Sequence, residues 1–225
     1  MDSSTSRSPC AIRLEDVHVT LPSEAGEINI LRGLDLEVSS GEAVGIVGPS
    51  GGGKTTMLMV VAGLESASQG IIETAGVHLN VLDEDTLALF RRDNIGIVFQ
   101  GFHLIPTMTA LENVAIPLEL APNENNNVEA FEVAEEHLAA VGLGDRLLHY
   151  PSQLSGGEQQ RVAIARAYAP NPKILLADEP TGNLDGETGL LIIDLLFDLH
   201  ERMDTTMLLI SHDESLAARC DRVVT

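Results

Sequence analysis

Gly48-Pro49-Ser50-Gly51-Gly52-Gly53-Lys54-Thr55 reads G-x-x-x-x-G-K-T, and its residue types suit one task, the holding of phosphate. Glycines let successive backbone N–H groups curl round an anion without Cβ clashes. A helix starting after them adds free N–H groups and the positive end of a dipole. Lys54 can reach the β- and γ-phosphates, the Thr55 hydroxyl can ligate Mg²⁺, and Thr56 adjoins them. The chain has only two lysines, Lys54 and Lys173, and one stands where this loop needs it. Gln100, Asp178 with Glu179, and Ser211 with His212 stand at the ends of apolar runs elsewhere in the chain.

Those runs predict the elements that position the chemistry. Ala43–Val47 is a short apolar stretch of the buried parallel-strand kind. Thr55–Ala62 is long and apolar enough for a helix, which Gly63 can end. Ile95–Phe99, Lys173–Ala177 and Thr206–Ile210 read as further buried strands. They deliver Gln100, Asp178 with Glu179, and Ser211 with His212 respectively. Ile12–Leu21, Ile28–Val38 and Ile71–Leu82 have β character without that continuous burial, so an antiparallel portion wraps the start of the core. Between Gln100 and Ala169 no parallel-strand pattern occurs. Thr109–Leu120 is predicted helical until Pro117, and Val128–Val141 fits an amphipathic helix. Pro122–Asn127 is predicted to be a loop. Leu154-Ser155-Gly156-Gly157-Glu158-Gln159-Gln160-Arg161 opens a helix running to about Ala169. Glu84–Arg92 is a short helix with Asp83 as its N-cap. Glu187–Met203 is a long helix, and Asp213–Cys220 a short one. Val223-Val224 begins a further strand.

At 225 residues the chain is expected to be one domain that needs no staples. Residues 1–10 are Ser-rich and expected to be disordered. Residues 11–99 and 170–225 form a nucleotide-binding core with the antiparallel portion, and 100–169 a helical subdomain. Aromatics make up 3% and Trp is absent, so the core must be built from Leu, Ile, Val and Ala. A net charge of −21 argues against nucleic acid or anionic lipid as a direct partner and describes a solvated acidic surface. Cys10 and Cys220 are too few for a disulfide framework. With neither a signal peptide nor a run near ~20 apolar residues, a cytoplasmic location is expected. Gly101–Met108 is apolar without helical period. Core packing and an exposed docking surface are both open for it.

Five features fall in one order: the loop at 48–55, Gln100, LSGGEQQRVAIARA from Leu154, the strand ending Asp178-Glu179, and His212. In this the chain resembles the ATPase subunits of ABC transporters, over nearly its whole length from about residue 11. GFHLIPTMTALENV and ADEPTGNLD resemble the lipoprotein-release, macrolide-efflux and cell-division branch. The signature run followed by HDESLAARCDR is most similar to YbbA-type subunits.

The resemblance implies an α/β fold: a P-loop NTPase with a parallel-sheet core, an N-terminal antiparallel β subdomain and an inserted helical subdomain. It implies ATP and Mg²⁺ as cofactors. Gly48 to Thr56 would hold ATP, with Thr55, Gln100 and Asp178 as metal ligands, Asp178 through water. Glu179 would polarise the attacking water and His212 contact the γ-phosphate. Ser155, Gly156 and Gly157 would act in trans on ATP sandwiched in a head-to-tail homodimer, with Asp185 at its seam. Taken singly, each acid could be a cap or surface charge, and His212 a structural histidine. Their joint order is what favours the site. A separate membrane permease is the implied partner, holding the subunit on the inner face of the membrane, with hydrophobic or lipid-like cargo. A non-transport regulatory ATPase is the alternative. Leu21 stands where the family often stacks adenine on an aromatic. The family's chains usually run one or two strands past the equivalent of Thr225, so a short or trimmed C-terminus is expected.

Overall fold

Two kinds of strand pattern give two sheets. The computed structural model describes residues 9–23, 26–121 and 127–225. The half-apolar strands β1 (Cys10–Ser23), β2 (Gly26–Ser39), β4 (Gln69–Thr74) and β5 (Val77–His78) pair antiparallel in the order β2-β1-β4-β5. The continuous apolar runs become β3 (Ala43–Ile46), β6 (Ile95–Phe99), β7 (Ile174–Asp178) and β8 (Thr206–Ile210). With β9 (Arg222–Val224) they form a parallel sheet in the order β6-β7-β8-β3-β9.

Burial on both faces explains the unbroken runs. Leu175, Ala177, Met207 and Leu209 pack into one core with α3 (Ala110–Glu119), α4 (Asn127–Ala140), α5 (Gly156–Tyr168) and α6 (Gly186–Met203). Ile174, Leu176, Leu208 and Ile210 alternate with them into a second core, with α1 (Lys54–Val61), α2 (Glu84–Asn94) and the antiparallel sheet. The side-chain period of two thus lets each strand glue two layers. Between Gln100 and Ala169 the described residues form helices and turns and no strand.

Asp83 caps α2 as expected, its carboxylate accepting from Thr86 N at 2.9 Å. Other expectations need correction. Cys10 already pairs with Ser39, and Pro9 O accepts from Ser40 N, so order begins before residue 11. Residues 1–8, and 122–126 of the expected loop, lie outside the described residues. The expected β stretch 71–82 stops early. β5 holds two residues and Leu79–Val81 is a 3₁₀ turn, because the Asn80 side chain takes Ile72 N–H and donates to Gly70 O. α3 runs through Pro117 to Glu119. A proline there forbids only its own N–H bond and crowds one carbonyl, while the helix is held by packing on α4 and α5. α7 spans only Glu214–Ala217 of the helix expected at 213–220.

Candidate functional site

All five parallel strands point one way, so their C-terminal ends line a single edge, where open α/β sheets bind ligands. The loop after β3 curls there and leads into α1. Its last glycine, Gly53, is the N-cap of α1 at φ 85, and no side-chain cap occupies the helix end. A Cβ on Gly53 would stand 2.9 Å from Leu31 Cδ2 and 3.2 Å from Ile30 O. Glycine is therefore required twice there, by the left-handed backbone and by close approach to β2. The unfilled N–H groups of α1 face the loop's concavity, as an anion site needs.

Side chains converge on that concavity from three neighbouring strand ends. Its walls are Ile30, Ser50, Gly51, Gly53, Lys54, Thr55, Thr56, Glu179 and His212. Lys54 Nζ donates to Gly48 O at 2.8 Å and Pro49 O at 2.9 Å, which draws its charge across the loop mouth. Thr55 Oγ1 donates to Asp178 Oδ2 at 2.9 Å, joining α1 to the end of β7. The next residue, Glu179, pairs through Oε1 with His212 Nε2, beyond the end of β8. The adjacent acids thus take different partners: Asp178 is the last residue of β7, and Glu179 leaves the strand at φ 48.

The hydroxyl of Thr55 and the carboxylate of Asp178 are hard oxygen donors in contact. Among the described residues no cluster of three or more His, Cys, Asp or Glu could cage a metal. Such a sparse oxygen set fits Mg²⁺, which keeps waters and completes its shell with substrate phosphate. When bound, that ion would neutralise phosphate charge.

The other expected site residues lie outside this concavity. Gln100 follows β6 on the same edge, yet its side chain turns to Asn183. Gln100 Nε2 lies 3.3 Å from Asn183 Oδ1, and Asn183 Nδ2 donates to Gln100 O at 2.9 Å. Ser155 is the exposed N-cap of α5, closed by a reciprocal box with Glu158. The N–H and hydroxyl of Ser155 hold the Glu158 carboxyl below its usual range. Gly157 is buried; a Cβ there would stand 2.5 Å from Thr188 Cγ2. Asp185 caps α6 and accepts from Thr188, whose N–H and hydroxyl lower its pKa. None of Ser155, Gly156 or Gly157 touches the phosphate concavity of its own chain.

Gly101–Met108 is neither core nor fully exposed. Phe102, Leu104, Ile105 and Met108 are half-buried. The buried Asn113 staples the segment, accepting from Ile105 N at 2.8 Å and donating to the carbonyls of Ile105, Met108 and Thr109. Phe99 stacks on His103, while Phe90 belongs to the core. Sequence reasoning missed three contributors. They are Ile30 on the phosphate wall, and Gln160 and Arg166 on α5. The available signal was a glutamine at the spacing of Gly157, Ile164 and Ala167, on a helix buried nearly all round.

A phosphate loop at the head of α1, an acid pair ending β7 and a histidine beyond β8, on one parallel edge, define an ATP-hydrolysing cassette. The chain belongs to the ABC transporter family, whose model matches residues 31–182. It is an ABC-type ATPase subunit that binds ATP. It is 50% identical over 196 residues to the ABC transporter ATP-binding protein YbbA of Escherichia coli K12, covering 87% of this chain and 85% of that one. It is 46% identical over 199 residues to the lipoprotein-releasing system ATP-binding protein LolD of Bacteroides thetaiotaomicron, covering 88% and 90%. The fold superposes on the dimeric, post-hydrolysis ATP-binding cassette MJ0796 bound to ADP and Pi. There the TM-score is 0.88 at 42% identity, covering 95% of this chain and 93% of that one. Among the described residues no helix is long and apolar enough to cross a membrane.

Proposed function

We propose that two copies of this chain close head-to-tail around two ATP molecules and drive a separate membrane permease for lipid-like cargo. In this reading Gly48–Thr56 bind the ATP phosphates, Thr55, Gln100 and Asp178 hold Mg²⁺, Glu179 polarises the attacking water, and His212 contacts the γ-phosphate. Gln100 would have to swing from Asn183 to do so. The observation that carries the reading is a mismatch. The acid–histidine pair stands on the phosphate wall, while the Ser155 end of α5 is exposed and lines none of it. That exposed N-terminus carries free N–H groups suited to phosphate, so its ATP must come from another copy. MJ0796 dimerises in its ADP-and-Pi-bound structure, and the names of LolD and YbbA speak for transport. The half-buried apolar segment Phe102–Met108, directly after Gln100, is the proposed seat of the permease, at the cytoplasmic face of the membrane.

The test uses Glu179→Gln, which should bind ATP and hydrolyse it poorly. Light scattering with ATP should then report twice the 24.0 kDa monomer mass. A variant that stays monomeric at saturating ATP defeats the sandwich.

A further inference from the structure

Glu179 is held in a backbone conformation that its sequence opposes. Its φ is 48, in the left-handed region that L side chains seldom adopt. It also precedes Pro180, and a residue before proline is pushed towards extended backbone. Such a conformer persists only when its surroundings enforce it.

Three hydrogen bonds do so. Glu179 N donates to Ile210 O at 3.0 Å, which ties it to the end of β8. Gly182 N donates to Glu179 O at 3.0 Å, which closes the turn. The third comes from a side chain. Gln160 Nε2 donates to Pro180 O at 2.7 Å and lies 3.5 Å from Phe99 O. With two carbonyls before it, the amide can face only one way. Its Oε1 is then left buried without a partner, and Gln160 itself is wholly enclosed. An orphaned buried acceptor is unfavourable, and an apolar side chain of the same length would avoid it. The bond to Pro180 is what the amide gives in exchange.

Gln160 belongs to α5, whose first residues are Gly156 and Gly157 and whose cap is Ser155. One rigid helix therefore presents Ser155 at its exposed end and grips the turn after Glu179 at its buried second turn. The same donor lies close to the last residue of β6, directly before Gln100.

We infer that Gln160 is a positioning residue. It holds the Pro180 carbonyl so that Glu179 keeps its left-handed backbone and its side chain stays on the phosphate wall. Through it, a shift of α5 on meeting the partner's ATP resets Glu179 in the helix's own protomer. The two ATP sites of a dimer are thereby joined by one side chain in each copy. This rests on the reading of Glu179 as the catalytic carboxylate.

Gln160→Met removes the donor and the orphan acceptor together while keeping the length. The full chain carrying it should fold and bind ATP within about two-fold of the parent. Its kcat should fall about ten-fold with KM nearly unchanged, because the lost hydrogen bond misplaces Glu179 and not the bound ATP. Combined with Glu179→Gln it should add nothing to that variant's loss, because both act on one group. Unchanged kcat, a loss confined to KM, or losses that multiply in the double variant each overturn the proposal. If Gln160→Met does not fold, Gln160→Asn, which withdraws the donor by one methylene, is judged by the same criteria. Full turnover in Glu179→Gln alone would instead strike the reading of Glu179, and is separable because that variant leaves Gln160 intact.

Discussion

Around the phosphate loop the polar side chains hold one another, whereas around the Gln100 segment the backbone is held by side chains from a helix. In the first region Thr55 bonds to Asp178, Glu179 pairs with His212, and Lys54 bridges two carbonyls of its own loop. Each of these contacts is one that an incoming phosphate can replace. In the second region Phe102 and His103 are consecutive non-glycine residues at φ 58 and 50. Arg166 of α5 donates to both their carbonyls, at 3.0 Å to Phe102 O and 2.8 Å to His103 O. The side-chain contacts of the first region can be exchanged for a ligand, whereas the second region, like the single turn at Glu179, is strained backbone held by a side chain of α5.

The difference can be broken from the phosphate side first, where the largest effect is expected. Glu179→Gln keeps the shape of the site and removes the proposed base, so hydrolysis should fall by about 10²–10⁴ with ATP still bound. Single-turnover assays with radiolabelled ATP measure this directly. A loss below ten-fold would mean that Glu179 is only His212's structural partner.

Lys54→Ala should lower ATP affinity about ten- to a hundred-fold, since hydrogen bonds from charged groups contribute roughly 1.5–3 kcal/mol each. Calorimetry with ATP decides it. The two loop carbonyls that Lys54 now engages are near the surface, so the variant should keep its melting temperature. A change in stability without a change in affinity would show that the lysine serves the loop and not the ligand.

This contrast also marks where the sequence could be read. The phosphate side is assembled from strand ends, and strand ends follow from local pattern. Ile174–Asp178 is an apolar run closed by an acid, and Thr206–Ile210 one that precedes His212. Once such runs are adjacent parallel strands, the residues after them must meet. Nothing local announces that Arg166 will reach back 63 residues to His103, or that Gln160 will reach forward 20 to Pro180. Both depend on how α5 lies against β6 and β7, a tertiary fact. Phe102–Met108 stayed open between core and docking surface for a related reason. Its lack of period left no face to assign to the core, and the half-burial comes from Asn113, which holds the loop against α3. Pro117 misled because proline is a local signal, and α3 is kept by packing beyond it.

On the clamped side, Arg166→Met should raise amide exchange at Phe102 and His103 and lower global stability by about 1.5 kcal/mol. Its side chain is half-buried, and burial pushes its pKa down, with no carboxylate within salt-bridge range among the described residues. The two carbonyls are thus its main return for desolvation. Arg166→Lys keeps the charge but cannot fork to two acceptors, so it should recover only part of the loss. ATP affinity should not move in either variant. Exchange that rises equally across the whole of α5 would mean that Arg166 supports the helix and not the loop.

The smallest effect separates two copies of one device. Thr109 with Glu112 and Ser155 with Glu158 are the same capping box, at the starts of α3 and α5. In each the hydroxyl accepts from the glutamate N–H, at 3.2 Å and 3.3 Å, and the carboxylate accepts from the cap's N–H, at 2.7 Å and 2.8 Å. Thr109→Ala and Ser155→Ala should therefore cost about the same, ~1 kcal/mol of stability in chemical denaturation. Their acid response should match as well. The cap's N–H and hydroxyl hold both carboxyls below their ordinary value of 4.5, so each box stabilises the fold above that pH. That stabilisation is lost as pH falls through the depressed folded value, and each alanine variant should flatten the slope there. The two boxes should part only with ATP present. Thr109 is a buried cap, while Ser155 is exposed at the proposed second-copy surface. Ser155→Ala should weaken ATP-driven dimerisation in the Glu179→Gln background, and Thr109→Ala should leave it alone. Equal dimerisation in the two variants would reduce Ser155 to a helix cap like any other, and the trans role of α5 would have to rest on its glycines.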